Sequence, residues 1–134
     1  ELQIARLFAK FPKYFGVFLS CNEARKTKSG TKKPTGKWCK KCAKCLFVFL
    51  ALYPFAPKQT MGIFRKNLLK DKTLKPLLEE LTGKRKFKPF ECVGTIKESR
   101  VALSLSLGKK KDHKILRAWN SQHFLPTRFS QLLR

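Results

Sequence analysis

The sequence predicts the mostly helical part of an α/β domain, and three observations carry that expectation. Apolar residues recur at helical spacing along most of the chain. One short run, Tyr14 to Ser20, is aromatic and β-branched and reads as a buried strand. A lone strand needs a sheet, so its partners are expected in chain upstream of these 134 residues. Finally, four of the five cysteines, Cys21, Cys39, Cys42 and Cys45, stand where they can converge on one point.

In chain order, Glu1 to Phe11 has Leu2, Ile4, Ala5, Leu7, Phe8 and Phe11 on an apolar side with Arg6 and Lys10 opposite, and Pro12 limits it. It opens without a cap and without an initiating Met, which suggests an excerpt from a longer protein. The strand then delivers Cys21 at its end. Asn22 to Lys37 holds Ser29, Gly30, Pro34 and Gly36 among lysines and reads as a solvated loop. Lys41 to about Tyr53 is apolar on nearly all sides, so it reads as a buried helix bounded by Pro54 and Pro57. Lys58 to Leu69 is a second helical piece. Asp71 or Thr73 caps a third, Leu74 to Leu81, which Gly83 stops. Thr95 with Glu98 three residues on is a capping box for Ile96 to Leu107, and Gly108 ends that helix. Asp112 is expected to cap a last helix running through Trp119.

The cysteines give the most specific local signal. Cys39, Cys42 and Cys45 lie at intervals of three, and Cys21 closes the set across a 17-residue loop. A tetrahedral zinc site needs four such ligands, and Cys-x-x-Cys turns bring pairs of sulfurs together. Residues 21–45 therefore read as a structural zinc knuckle. Three reduced thiols at a helix start, or a redox pair, are the alternatives. A redox pair does not call for a third cysteine at the same interval and a fourth upstream.

The net charge is +23, from 31 Lys and Arg against 8 Asp and Glu. Nine of the basic residues and no acid fall between Arg25 and Lys44. Such a field attracts polyanions. Lysine is also scattered along the whole chain, as a compositional bias would leave it. Lys37, Lys40, Lys41 and Lys44 also stand where they can offset the charge of about −2 on a four-thiolate zinc. The longest apolar run, Cys45 to Phe55, is too short to span a membrane. The cysteine spacing fits metal better than a secreted disulfide framework, which points to a reducing cytoplasm.

Four motifs in order resemble a known family. They are Phe18-Leu19-Ser20-Cys21-Asn22; Trp38-Cys39 through Cys42, Lys44, Cys45 and Phe47-Val48-Phe49-Leu50; Ile63-Phe64 with Asn67-Leu68-Leu69; and Lys88-Pro89-Phe90-Glu91-Cys92-Val93-Gly94. Together they resemble the C-terminal region of the bacterial UDP-N-acetyl-alpha-D-muramoyl-L-alanyl-L-glutamate epimerase family, over roughly Glu1 to Leu107. One departure is Lys40, where the family pattern implies glycine. The cysteine layout is also similar to the zinc knuckle of 7-cyano-7-deazaguanine synthase. The resemblance implies an adenine-nucleotide α-hydrolase-like (ATP-pyrophosphatase) fold, of which residues 1–134 are the C-terminal portion of one catalytic domain. It implies ATP and a divalent cation such as Mg as cofactors, a UDP-linked muramoyl dipeptide as substrate, and the missing N-terminal part of the same protein as partner. The Ser-Gly-Gly-x-Asp-Ser loop that would bind ATP is not in this sequence, so the chain alone is expected to be inactive; it is also expected to fold marginally, because the Tyr14 to Ser20 strand lacks its sheet.

Epimerisation of a terminal glutamate through an adenylated carboxylate needs a base, a conjugate acid and phosphate clamps. Cys92 is the first candidate, because it stands just before a helix N-terminus that favours a thiolate. Glu91 is the second. Glu98, His113 and His123 are weaker, Glu98 being used already as a cap partner. A small buried thiol is the plain alternative for Cys92. Lys88, beside Pro89, and Lys44 are candidates for a UDP phosphate or the substrate carboxylate. Trp38 is expected to pack over the knuckle. Two competing functions remain at this point: a lysine-rich zinc-knuckle module that binds nucleic acid, and an inactive remnant.

Overall fold

The computed structural model describes residues 1–25, 34–90, 92–109 and 113–117. Its α-helices in chain order are α1 (Leu2–Phe8), α2 (Asn22–Arg25), α3 (Ala43–Leu52), α4 (Pro57–Phe64), α5 (Lys75–Leu81), α6 (Ile96–Ser106) and α7 (Lys114–Arg117). Short 3-10 turns occupy Pro12–Tyr14, Leu68–Lys70 and Lys72–Leu74. The all-round apolar character of Ala43–Leu52 has the consequence expected of it: every residue of α3 except Lys44 is buried. Helices α1, α4, α5 and α6 pack around it. Phe49 sits at the centre, stacked on Tyr53 at 5.1 Å and edge-on to Phe64 at 5.4 Å. Burying each such ring contributes about 1.5–3 kcal/mol.

Local chemistry sets the ends of these helices. Pro57 opens α4, where its missing N–H costs nothing, and Arg65 closes it in the left-handed region. The Asp71 side chain accepts from Thr73 N at 3.0 Å, and Gly83 at φ 68° follows α5. The expected capping box is present, with the Thr95 hydroxyl accepting from Glu98 N at 3.1 Å and the Glu98 carboxylate from Thr95 N at 2.8 Å. The same carboxylate also accepts from Leu2 N at 2.9 Å, so Glu98 caps α1 as well as α6. Arg100 donates to the Thr82 carbonyl at 2.7 Å and ties α6 to the end of α5.

The expected strand is not formed. Tyr14 to Ser20 continues the 3-10 turn and then runs irregularly, and no strand occurs among the described residues. The physical reason is local satisfaction of the backbone. Phe15 N bonds to the Pro12 carbonyl and Phe18 N to that of Tyr14, so no neighbouring strand is required. Val17 is 81% exposed, whereas Phe15 is buried against Phe8 with ring centroids 4.8 Å apart. As described, this chain is therefore helical rather than α/β. The loop expected from Asn22 begins instead with α2. Asp112 and Trp119 lie outside the described residues. Among the described residues, no helix is long and apolar enough to cross a membrane.

Candidate metal centre

Cys42 is the N-cap of α3, and its sulfur accepts from Cys45 N at 3.4 Å. Cys45 follows one turn later, fully buried by the core that holds α3. Cys21 is buried just before α2, and its sulfur accepts from Cys39 N at 3.4 Å. Cys39 and Cys42 are partly exposed. The four sulfurs all lie within 4.8 Å of one another, as the spacing predicts. The Cys39 and Cys45 sulfurs are 3.7 Å apart. That matches the edge of about 3.8 Å of a tetrahedron with ~2.3 Å zinc–sulfur bonds. All four thiols are free, and their separation is far beyond a disulfide bond.

The electrostatics are uneven across the cluster. A hydrogen bond from the Cys45 thiol lowers Cys42 to about 5, against the effect of burial and helped by the Cys45 backbone N–H. Donating that proton holds Cys45 well above the ordinary thiol range, with burial acting the same way. Burial raises Cys39. Cys42, at a helix N-terminus, is thus favoured as a thiolate, and a cation would draw the others into ionising. A soft divalent ion fits this all-sulfur donor set.

Trp38 packs beside the cluster, 4.7 Å from the Phe64 ring and 5.5 Å from Phe18. Lys40, where the resemblance implies glycine, has φ 64°, a conformation that glycine adopts without cost. Lys44 lies between two of the sulfur positions on α3 and donates to the Cys92 backbone carbonyl. The first turn of α3 therefore meets both the sulfur cluster and the segment before α6. Cys92 itself is exposed, which overturns the plain alternative of a buried small thiol. Gly94, two residues on, is buried against Phe47. Lys88 is half-buried in the irregular segment between α5 and α6. His113 is half-buried before α7, and its Nε2 has no hydrogen-bond partner among the described residues. Glu91 and His123 lie outside the described residues.

Spacing in the sequence does not reveal a groove of about 640 Å³ beside the cluster, walled in part by Lys37, Lys40 and Arg65. Three separate segments form it. Its local signs are the glycines along it, Gly16, Gly36 and Gly62, the last inside α4.

Residues 17–128 match the family model described as the MurL C-terminal domain. A relative from Micromonospora sp., named UDP-N-acetyl-alpha-D-muramoyl-L-alanyl-L-glutamate epimerase, is 49% identical over 106 residues, covering 78% of this chain and 23% of its own length. Relatives with the same name from Salinispora tropica and Xanthomonas oryzae pv. oryzae are 47% and 45% identical over the same share of this chain. They are covered over 22% and 23% of their lengths, so the chain spans under a quarter of the curated relatives it matches. No solved structure matches it. With the family model covering most of its length and the relatives close to half identical, the chain belongs to the MurL C-terminal domain family.

Proposed function

We propose that the protein is an epimerase that converts the terminal L-glutamate of UDP-N-acetylmuramoyl-L-alanyl-L-glutamate to D-glutamate for peptidoglycan synthesis. The observation that carries this is the shared name of three relatives at 45–49% identity. The nucleic-acid module is not favoured, since those relatives are named as enzymes. In this reading the chain is the C-terminal portion of a catalytic domain of adenine-nucleotide α-hydrolase type. The missing N-terminal part supplies the ATP loop, and the protein works in the reducing bacterial cytoplasm.

The chemistry asks for activation, because removing the α-proton of a free carboxylate builds a dianion. Attack of the carboxylate on the α-phosphorus of ATP, with Mg at the phosphates, forms a mixed anhydride and expels pyrophosphate. A base then takes the α-proton, a conjugate acid returns one to the opposite face, and water releases AMP and the inverted carboxylate. Cys92 is the proposed base, with Glu91 as its counterpart. The position of Lys44, in contact with the Cys92 carbonyl, supports a role for it near the reacting centre. Lys88 is proposed to meet a phosphate or carboxylate of the substrate. Zinc is the proposed ion for Cys21, Cys39, Cys42 and Cys45. Four thiolates close its coordination sphere, so it would supply stability rather than an activated water.

The test is incubation of the full-length protein with the L-glutamate substrate, ATP and Mg, followed by hydrolysis and chiral analysis. ATP-dependent appearance of D-glutamate, with solvent deuterium at the α-carbon, is expected. Its absence in a folded, zinc-loaded preparation would overturn the proposal.

A further inference from the structure

The groove beside the sulfur cluster has a one-signed charge. Lys37, Lys40 and Arg65 line it, and no carboxylate among the described residues does. None of the three side chains is paired with a carboxylate among the described residues. Three uncompensated cations around one concavity repel one another, an arrangement that an anion would relieve.

Left-handed backbone gathers at the same place. Lys40 at φ 64° and Arg65 at φ 53° are the two non-glycine residues with positive φ among the described residues, and both line this groove. At Arg65 this backbone closes α4, and at both positions it sets the residue on the groove wall. The groove is also kept open. Gly62 lies inside α4, where glycine weakens a helix, yet a Cβ built there meets nothing within 4 Å. No packing demand explains a glycine at that position. It lines the groove without a side chain of its own. The volume, about 640 Å³, is that of a small-ligand site.

We infer that this groove binds the diphosphate group of a nucleotide-bearing ligand, with Lys37, Lys40 and Arg65 as its counter-charges. Arg65 offers the planar fork that suits phosphate oxygens, and the two lysines act as point charges. The two sources of that group, the UDP-linked substrate and ATP, rest on the epimerase reading; the phosphate chemistry does not. The rival role for Lys40 is to offset the charge of a four-thiolate metal site.

The test is calorimetric titration of zinc-loaded full-length protein with inorganic pyrophosphate, UDP and ATP. Lys40→Gly and Arg65→Gly each remove a cation at a position whose φ suits glycine, so folding is preserved. Gly62→Leu fills the groove with a better helix former. Each charge removal is expected to weaken pyrophosphate binding about tenfold or more. Gly62→Leu is expected to abolish it, with the melting midpoint of all three variants equal to or above that of the parent. Parallel loss of UDP affinity assigns the group to the substrate, and of ATP affinity to the nucleotide. Pyrophosphate binding that is absent in the parent, or unchanged in Arg65→Gly and Gly62→Leu, overturns the inference. Loss of zinc in Lys40→Gly with unaltered pyrophosphate binding assigns that lysine to the thiolates and overturns it too. An inactive protein that still binds pyrophosphate in this pattern would sink the epimerase reading and leave the groove standing.

Discussion

Gly94 leaves no room for a methyl group. A Cβ built there would lie 2.4 Å from Phe47 Cζ and 2.8 Å from Glu98 Oε2. Comfortable carbon–carbon contact is about 3.5–4.0 Å, so the overlap with the ring exceeds an ångström. Phe47 is only 3% exposed on the central helix, so its ring can yield only by repacking against its neighbours. Moving the backbone at Gly94 instead would drag Thr95, the N-cap of α6. Overpacking of this kind costs about 1–3 kcal/mol. A loosened capping box adds about 1 kcal/mol. The stiffer unfolded chain of an alanine variant returns about 0.4–1 kcal/mol. Gly94→Ala is therefore expected to destabilise by about 2 kcal/mol, a fall in melting midpoint of roughly 8 °C for a domain of this size. Thermal unfolding of the zinc-loaded protein, followed by circular dichroism, measures it. Phe47→Leu in the same background removes the obstructing ring atoms, so the pair should cost less than the sum of its parts. An unchanged midpoint in Gly94→Ala, or strict additivity in the pair, would refute the packing argument.

Three further outcomes follow from the same structure. Cys21→Ser removes one of four ligands, roughly a quarter of a ~12 kcal/mol site, so zinc affinity should drop about a hundredfold in a chelator competition; undiminished affinity would take Cys21 out of the ligand set. Cys42 is lowered to about 5 while Cys39 and Cys45 are raised. Zinc binding at pH 7 should then release protons from Cys39 and Cys45 and weaken as pH falls; calorimetric heats that do not depend on the buffer would contradict this. Burial works to raise Glu98, but hydrogen bonds from the Glu1 nitrogen (an uncharged peptide N–H in any longer chain), Leu2 and Thr95 outweigh it and lower the carboxyl. A depressed acid stabilises the fold above its unfolded value near 4.5 and loses that contribution as pH falls below it. Glu98→Gln should cost about 1–2 kcal/mol at neutral pH and flatten the acid limb of the stability curve, so an unaltered limb in pH-dependent melting would count against the double cap.

Some of this architecture is written locally and some is not. Thr95 and Glu98 announce their capping box because both partners sit within one turn. The cysteine cluster is legible because three of its four members stand at intervals of three, and the sulfurs do gather within 4.8 Å. Tyr14 to Ser20 misleads, since β-branched and aromatic content outweighed the turn chemistry of Pro12 and Gly16. The second duty of Glu98 is invisible in sequence, because Leu2 stands 96 positions away. The left-handed backbone at Lys40 is hinted at only by the glycine that the resemblance implies there. Arg65 carries no such hint, and its partners in the groove come from segments that only the packing of α4 brings together.

The Cys42 sulfur already has an occupation, as the acceptor that begins α3. Helix and core therefore hold Cys42 and Cys45 in register whether or not an ion has arrived. Cys21 and Cys39 come from irregular chain on the other side. A metal bound at the proposed centre would therefore take two ligands from a capped helix and two from irregular chain.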